Sequence, residues 1–558
     1  MSGDVGKVGG QRLQKRDWPA FVNSLVGRLP IRSFTVAALL TVAPFSAFLY
    51  GTREYVGIGD IWRYPVTAAG VVVALGICTS VVLGRSWGAR GSVVLGWLVF
   101  ALFWYRDVSS FADRRLSFVG MPAELAWVLV LIVGVVVAYR LTSRPRLMKA
   151  GLLFSLTMAA LPLIQYGVAT VSHGTQPGAK LDTANIDQWE SKPDIYYLVL
   201  DGLGRADVLN KIYGIDISGF TDTLREERFV VADRALSPHP MTWLSVPAVL
   251  DQEYQAYPGL RGRPATHSQT NRIMSGDSQT HKELAGQGYR FVIATEGGGP
   301  FCDLDLSPIQ ELATCLVKGD SLSAAVRERL AWLTPLYGLA NRGLLPKVVN
   351  RWLAAEDLRW TDPKRSSGTF MVDDVLRTVD SVKEEHALVP VFVLAHMMYP
   401  HPPYTLDSDC GPSSHETFRP SVDAWDDLMG MRMGIDCTQQ QILSLIDSVG
   451  RDAVIVLQSD HGPGHGSLIG ETTVGEIPVE DLWIRASAFS AVRLPDRCRS
   501  QVSDTYAGVN TFRVVFSCIS GIPRALEPQS SFWAWYDDRA VVDLTERLRR
   551  YEDFVQTG

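Results

Sequence analysis

The segment "AVIVLQSDHGPGHG", residues 453–466, runs five apolar residues into an acid, a histidine and a string of turn formers. An apolar run this short, bounded by turn signals, reads as a strand buried on both faces. Glycine and proline alone would suffice for the turn that follows. Asp460 and His461 add two metal-capable groups at the carboxyl end of the strand, where open α/β sheets bind their ligands. Other ligands must then come from elsewhere in the chain.

Three further runs have the same character: "IYYLVL" (195–200), "RFVIAT" (290–295) and "VFVLAH" (391–396). Helix-like stretches such as "GFTDTLREERF" (219–229) and "QQQILSLIDSV" (439–449) lie between them. Buried strands alternating with helices predict an α/β domain with a largely parallel sheet. Three of the four runs deliver metal-capable side chains at the carboxyl edge: Asp201, His396, and Asp460 with His461.

The first third of the 558-residue chain is of another kind. Five stretches are apolar enough to cross a bilayer: 33–52, 64–84, 91–105, 125–139 and 151–171, the third short and the fifth containing Pro162. A single signal peptide does not repeat five times. The N-terminal tail and the second and fourth connections carry twelve basic residues, and the first and third connections carry five, mixed with acids. The positive-inside rule places the tail in the cytoplasm and everything after about residue 172 outside, periplasmic or extracellular. The expected domains are a tail (1–32), a five-span membrane domain (33–172), a polar linker (173–192) and an outer catalytic domain (193–558). Cys78 lies in the second span, and the other six cysteines are all in the outer part. An even count there suits disulfides, with neighbour pairing (302–315, 410–437, 498–518) the simplest connectivity.

Net charge is −6 and there is no basic block beyond the tail, so nucleic acid is not an expected partner. The spans lack the buried charges that mark a transport pathway. Residues 321–357 repeat apolar positions with Arg, Lys and Trp between them. They read either as amphipathic helices on the membrane surface or as a helical insertion packed on the sheet.

Two more segments complete the candidate site. In "SPHPMTWLSVPAVL" (237–250) Thr242 precedes an apolar run. Such a threonine is a helix cap, or, against a divalent cation, an activated nucleophile. Asp201, in "YYLVLDGLGRADVL" (196–209), has the same two readings, cap or metal ligand. In "VFVLAHMMYPHPPYTLD" (391–407) His396 and His401 are placed to bind an anion or to protonate a leaving oxygen. Asp, Thr, Asp and His form a mixed oxygen–nitrogen set that suits Zn²⁺ or Mn²⁺.

"VLDGLGRAD", "MTWLSVP", "AHMMYPHPPY" and "QSDHG" resemble, in order, four segments of the membrane-bound sulfatase-like branch of the alkaline phosphatase superfamily. That branch includes phosphoethanolamine transferases and lipoteichoic acid synthases. The resemblance implies five spans and an outer α/β/α sandwich. It implies one divalent metal held by Asp201, Thr242, Asp460 and His461, with Thr242 also the nucleophile and His396 and His401 on the transferred phosphoryl group. It implies a membrane phospholipid as donor and an envelope glycan or lipid as acceptor. The phosphoethanolamine transferases carry Glu where Asp201 stands, no C/S-x-P-x-R motif surrounds Thr242, and a second metal site is not evident. Two other readings share the motifs: a hydrolase with water as acceptor, and a non-catalytic glycan-binding membrane protein.

Overall fold

The computed structural model describes residues 29–52, 58–105, 108–109, 111, 123–172, 188–256, 267–296, 300–302, 307–318, 330, 333–335, 369–387, 389–402, 404–413, 425–464, 474–475, 477–534 and 541–557. The chain divides into two compact units, Met1–Ser172 with Leu330–Gly338, and His173–Arg329 with Leu339–Gly558.

In the first unit five helices among the described residues are long and apolar enough to cross a membrane: α1 (Ile31–Gly51), α2 (Arg63–Leu83), α3 (Arg85–Phe103), α4 (Ala123–Leu141) and α5 (Pro145–Ser172). The third and fifth begin about six residues earlier than the apolar runs. Helix continues through Arg85 and Arg90, and through Arg146 and Lys149, because long basic side chains can carry their charges away from the apolar layer. Pro162 lies inside α5 without ending it. Helix α1 packs against α2, α3 and α5. Small residues permit this approach: a Cβ on Gly96 would lie 2.7 Å from the Ala37 carbonyl oxygen.

The second unit is built on a seven-stranded sheet of order β2-β7-β6-β1-β5-β3-β4. The strands are β1 (Ile195–Leu200), β2 (Phe229–Val231), β3 (Arg290–Glu296), β4 (Ala313–Lys318), β5 (Val391–Met397), β6 (Val454–Gln458) and β7 (Ser490–Arg493). The four strands expected from apolar runs form its centre and are mutually parallel, with β4 parallel at one edge. Strand β7 is antiparallel to β6, and β2 to β7.

Alternate residues of each strand feed opposite faces. Tyr196, Leu198, Val393 and Ile455 pack under α11 (Val372–Glu385) and α12 (Leu428–Ser448). Tyr197, Val199, Leu394 and Val456 pack under α8 (Thr242–Asp251) and α14 (Thr511–Ser520). The helices between these are α6 (Ala206–Tyr213), α7 (Ser218–Glu226), α9 (His267–Met274), α10 (Gln279–Gly286) and α13 (Val479–Ala486), and α15 (Thr545–Thr557) closes the chain. The expected α/β/α sandwich is what forms.

All three neighbour disulfides are present, Cys302–Cys315, Cys410–Cys437 and Cys498–Cys518, and Cys78 is free. The end of the expected linker is part of the packed unit: Trp189 is buried, its ring 4.7 Å from that of Phe516. Apart from 330 and 333–335, the segment 321–357 lies outside the described residues.

Candidate metal centre and active site

Strand parity decides which side chains meet. Asp201 follows β1 in phase with Val199, His396 in β5 is in phase with Leu394, and Asp460 follows β6 in phase with Val456. All three therefore emerge on the face covered by α8, whose first residue is Thr242.

Neither Asp201 nor Thr242 is a helix cap. Arg205 occupies the cap position of α6 and Met241 that of α8. The Thr242 hydroxyl donates to Asp460 Oδ2 at 2.5 Å. The other oxygen of Asp460 accepts from the Gly202 and His461 amides at 3.2 and 3.0 Å. His461 Nδ1 donates to the Gly462 carbonyl at 3.0 Å, since a carbonyl only accepts. Burial, reinforced by the charge of Arg485, holds this imidazole well below its ordinary pKa, and so neutral. Its Nε2 lone pair then points at Asp460 Oδ2, 3.2 Å away, and Asp201 Oδ1, 3.5 Å away.

Three acceptor atoms thus converge, all buried and within 4.8 Å of one another. Asp201 Oδ1 has no hydrogen-bond donor. Lone pairs gathered this way repel unless a cation lies among them. Two carboxylates, a neutral imidazole and an adjacent alcohol fit a divalent ion such as Zn²⁺ or Mn²⁺.

His396 Nε2 lies 3.3 Å from Asp201 Oδ2, close enough for an ion pair but off the line of a hydrogen bond. Burial opposes charge on this imidazole, but Asp201 outweighs it and raises its pKa. Burial also opposes ionisation of Asp201, yet His401 and His396 hold that carboxyl well below the carboxylate range. Burial and the Asp201 charge push Asp460 up to about 6. His401 stands outside the converging set, its ring 6.3 Å from that of His461 and edge-on to Trp425 at 4.8 Å. His465 lies outside the described residues.

Four residues at this site escape the sequence reading. Arg485 donates to the carbonyls of Pro240 at 2.7 Å and Gly462 at 3.3 Å, joining the Thr242 and His461 segments. Trp425 is buried against both metal-facing loops: a Cβ on Gly202 would come 2.5 Å from its ring, and one on Gly464 2.4 Å. Phe301 stacks on His396. Glu296 ends β3, and burial pushes its carboxyl up to about 8 against the opposing pull of His396. Only Glu296 left a signal, one residue beyond "RFVIAT". The other three sit in unremarkable sequence.

Fold and site together define a chain with five apolar helices and an α/β/α unit bearing a buried carboxylate–imidazole–alcohol centre at the carboxyl edge of its parallel sheet. No protein-family model matches the chain, and neither does any curated protein. Among solved structures it is similar in fold to the integral membrane protein lipooligosaccharide phosphoethanolamine transferase A from Neisseria meningitidis, at 13% identity and a TM-score of 0.40, over 85% of this chain and 95% of that one. The C-terminal periplasmic domain of EptC from Escherichia coli, in complex with Zn, matches at 10% identity and a TM-score of 0.38, over 64% and 96%. An alkaline phosphatase superfamily protein from Vibrio parahaemolyticus matches at 12% identity and a TM-score of 0.38, over 65% and 79%.

Proposed function

We propose that this chain is a metal-dependent phosphotransferase. It takes a phosphoethanolamine or glycerophosphate headgroup from a membrane phospholipid and passes it, through a threonine-linked intermediate, to a glycan or lipid of the cell envelope. The observation that carries this reading is the 2.5 Å hydrogen bond from Thr242 Oγ1 to Asp460 Oδ2, inside the buried cluster that holds the donorless Asp201 Oδ1.

Asp201, Asp460, His461 and Thr242 would hold the ion. When bound, a divalent cation lowers the pKa of the alcohol and offsets charge developing on the phosphoryl oxygens. Asp460 orients the Thr242 hydroxyl and accepts its hydrogen bond. Thr242 also opens helix α8, and the N-terminal end of a helix favours negative charge. As the Thr242 oxygen bonds to phosphorus, the bond from phosphorus to the diacylglycerol oxygen breaks. His396, whose protonated form is favoured by Asp201, supplies a proton to that leaving oxygen. An acceptor hydroxyl then gives its proton to His396 and displaces Thr242 from phosphorus, and the Thr242 oxygen takes back the proton it passed to Asp460 in the first step. The buried setting of Asp201 and His461 keeps bulk water from the ligand atoms.

The test uses full-length protein in vesicles containing headgroup-labelled phospholipid. Wild type labels Thr242, seen by mass spectrometry, and passes label to added glycan. Thr242→Ala does neither. Full transfer by Thr242→Ala would sink the proposal, and label released only to water would mark a hydrolase.

A further inference from the structure

Arg205 follows Asp201 across the Gly202–Leu203–Gly204 turn and is buried. A buried guanidinium needs acceptors for its donors and a counter-charge. Its Nε and Nη2 donate to the two oxygens of Asp207 at 3.0 and 2.7 Å, and Nη1 donates to the Ala235 carbonyl at 3.2 Å. Nη2 also forms an ion pair with Glu552 Oε1 of α15 at 2.5 Å. The Arg205 amide donates at 3.1 Å to the carbonyl of Ser487, just after α13. One residue thus links the turn that carries Asp201 to α13 and to the segment that leads to Thr242.

The two counter-ions are not equivalent. Asp207 lies in the first turn of α6, the helix that Arg205 caps, so their pair moves with the turn, and its side chain is 41% exposed. Glu552 is 3% exposed and reaches Arg205 from a separate element. Arg234 Nε and Nη2 donate to its Oε2 at 3.3 and 3.2 Å, holding the carboxylate from the other side. Helix α15 is seated on the same neighbours: Arg547 donates to the Ile477 carbonyl ahead of α13 at 3.1 Å, and Lys211 of α6 donates to the Val555 carbonyl at 2.7 Å.

We infer that Glu552 is a positioning residue for the metal centre, acting through Arg205. Its carboxylate fixes the guanidinium against α15, and the guanidinium fixes the Asp201 turn relative to the Thr242 segment. The inference rests on the metal-dependent reading above. Neutralising Glu552 leaves the guanidinium with Asp207, which offers no anchorage outside its own helix. The Asp201 carboxylate then samples a wider range of positions, and a metal site tolerant of little displacement binds its ion more weakly. Coupling of this kind is reciprocal, so loss of the ion in turn loosens the hold on α15.

The experiment uses full-length protein in detergent, with Zn²⁺ as the probe and a competing chelating dye to read its dissociation constant. Glu552→Gln keeps the shape of the side chain and removes its charge. Its dissociation constant should rise about tenfold, the lower end of what loss of a supporting partner costs a metal site. Asp553→Asn, which weakens the exposed pair of Arg234 with the neighbouring carboxylate, should stay within about twofold of wild type. The constants are read well below the melting temperature of every variant, where a merely stabilising role leaves them unchanged. A wild-type constant in Glu552→Gln would overturn the inference. Amide hydrogen exchange of wild type decides the matter even if Glu552→Gln folds poorly. Chelation should speed exchange in α15 about tenfold, and by less in α11, which packs on β3, β4 and β5. Equal acceleration in the two helices, or none in α15, would overturn the inference. Wild type that bound no Zn²⁺ would overturn the metal-dependent reading, and this inference with it.

Discussion

Removal of metal should destabilise the α/β unit by an amount the site itself suggests. Without a cation, Asp201 Oδ1 has no donor, and it faces the His461 Nε2 lone pair and Asp460 Oδ2, which accepts from the Thr242 hydroxyl. Folding then has to hold two buried carboxylates beside a neutral imidazole. A ligand that binds only the folded state stabilises it by about 2.7 kcal/mol at a hundred times its dissociation constant. The roughly 370 residues from 193 onward carry an unfolding entropy of about 0.8 kcal/mol/K. Chelation should therefore lower the melting temperature of that unit by ~3–4 °C, and returned Zn²⁺ or Mn²⁺ should restore it. The assay is thermal unfolding of the full chain in detergent, before and after dialysis against chelator, with elemental analysis for one metal per chain. His461→Ala should melt lower than wild type and lose most of the response to metal. An unchanged transition on chelation, or an equal response in His461→Ala, would refute the argument that the converging lone pairs require a cation.

Two further outcomes concern backbone and protonation. Gly202→Ala should cost about 2–4 kcal/mol, since φ is +74° and the new Cβ would lie 2.5 Å from the Trp425 ring. It should cut transfer on the order of a hundredfold by shifting Asp201, whereas Gly214→Ala, at φ +62° with open space around it, should lose only about 1 kcal/mol and keep full transfer; equal effects in the two variants would refute the steric account. His281 is buried between Phe291 and Phe392, and burial lowers its pKa to about 3 from 6.5. Above pH 6.5 it costs nothing, and as pH falls the unfolded chain takes the proton first, so stability is lost progressively. At pH 4.5 the loss is about 2.7 kcal/mol, and the drop in melting temperature between pH 7.5 and 4.5 should shrink in His281→Gln; an undiminished drop would show that other groups drive acid unfolding.

The parts of the fold legible in sequence are those whose environment leaves a continuous mark. Strands β1, β3, β5 and β6 are covered on both faces, so each carries an unbroken apolar run, 195–200, 291–294, 391–395 and 454–457. Edge strand β2 is three residues long, and β4, "ATCLVK", has no fully buried position and is interrupted by Thr314 and ended by Lys318. Neither stands out from a loop. The membrane helices were readable by length, but their ends were not, because arginine is compatible with helix on either side of the apolar boundary. Arg485, Trp425 and Phe301 were illegible for a different reason. Arg485 meets Pro240 across 245 residues of sequence, and nothing in "DLWIRASAF" (481–489) records that meeting. Their roles arise from tertiary adjacency, which a single sequence does not encode locally.

Strand order explains why the legible residues converge at all. Strand β1 lies between β5 and β6, with Val199 level with both His396 and Gln458. Asp201, two residues beyond Val199, therefore has His396 on one side and the Asp460–His461 pair on the other. Its two oxygens divide between them, Oδ2 toward His396 at 3.3 Å and Oδ1 toward His461 at 3.5 Å. A strand advances about 3.3 Å per residue, so a two-residue slip of β6 against β1 would preserve the inward face while carrying Asp460 nearly 7 Å away. Metal ligation tolerates far less displacement than that. The apolar cores above and below the sheet thus do more than stabilise it. By holding β5, β1 and β6 in a single register they make Asp201 the shared corner of its contact with His396 and its contact with the Asp460–His461 pair, which is the arrangement the proposed phosphotransferase reaction would use.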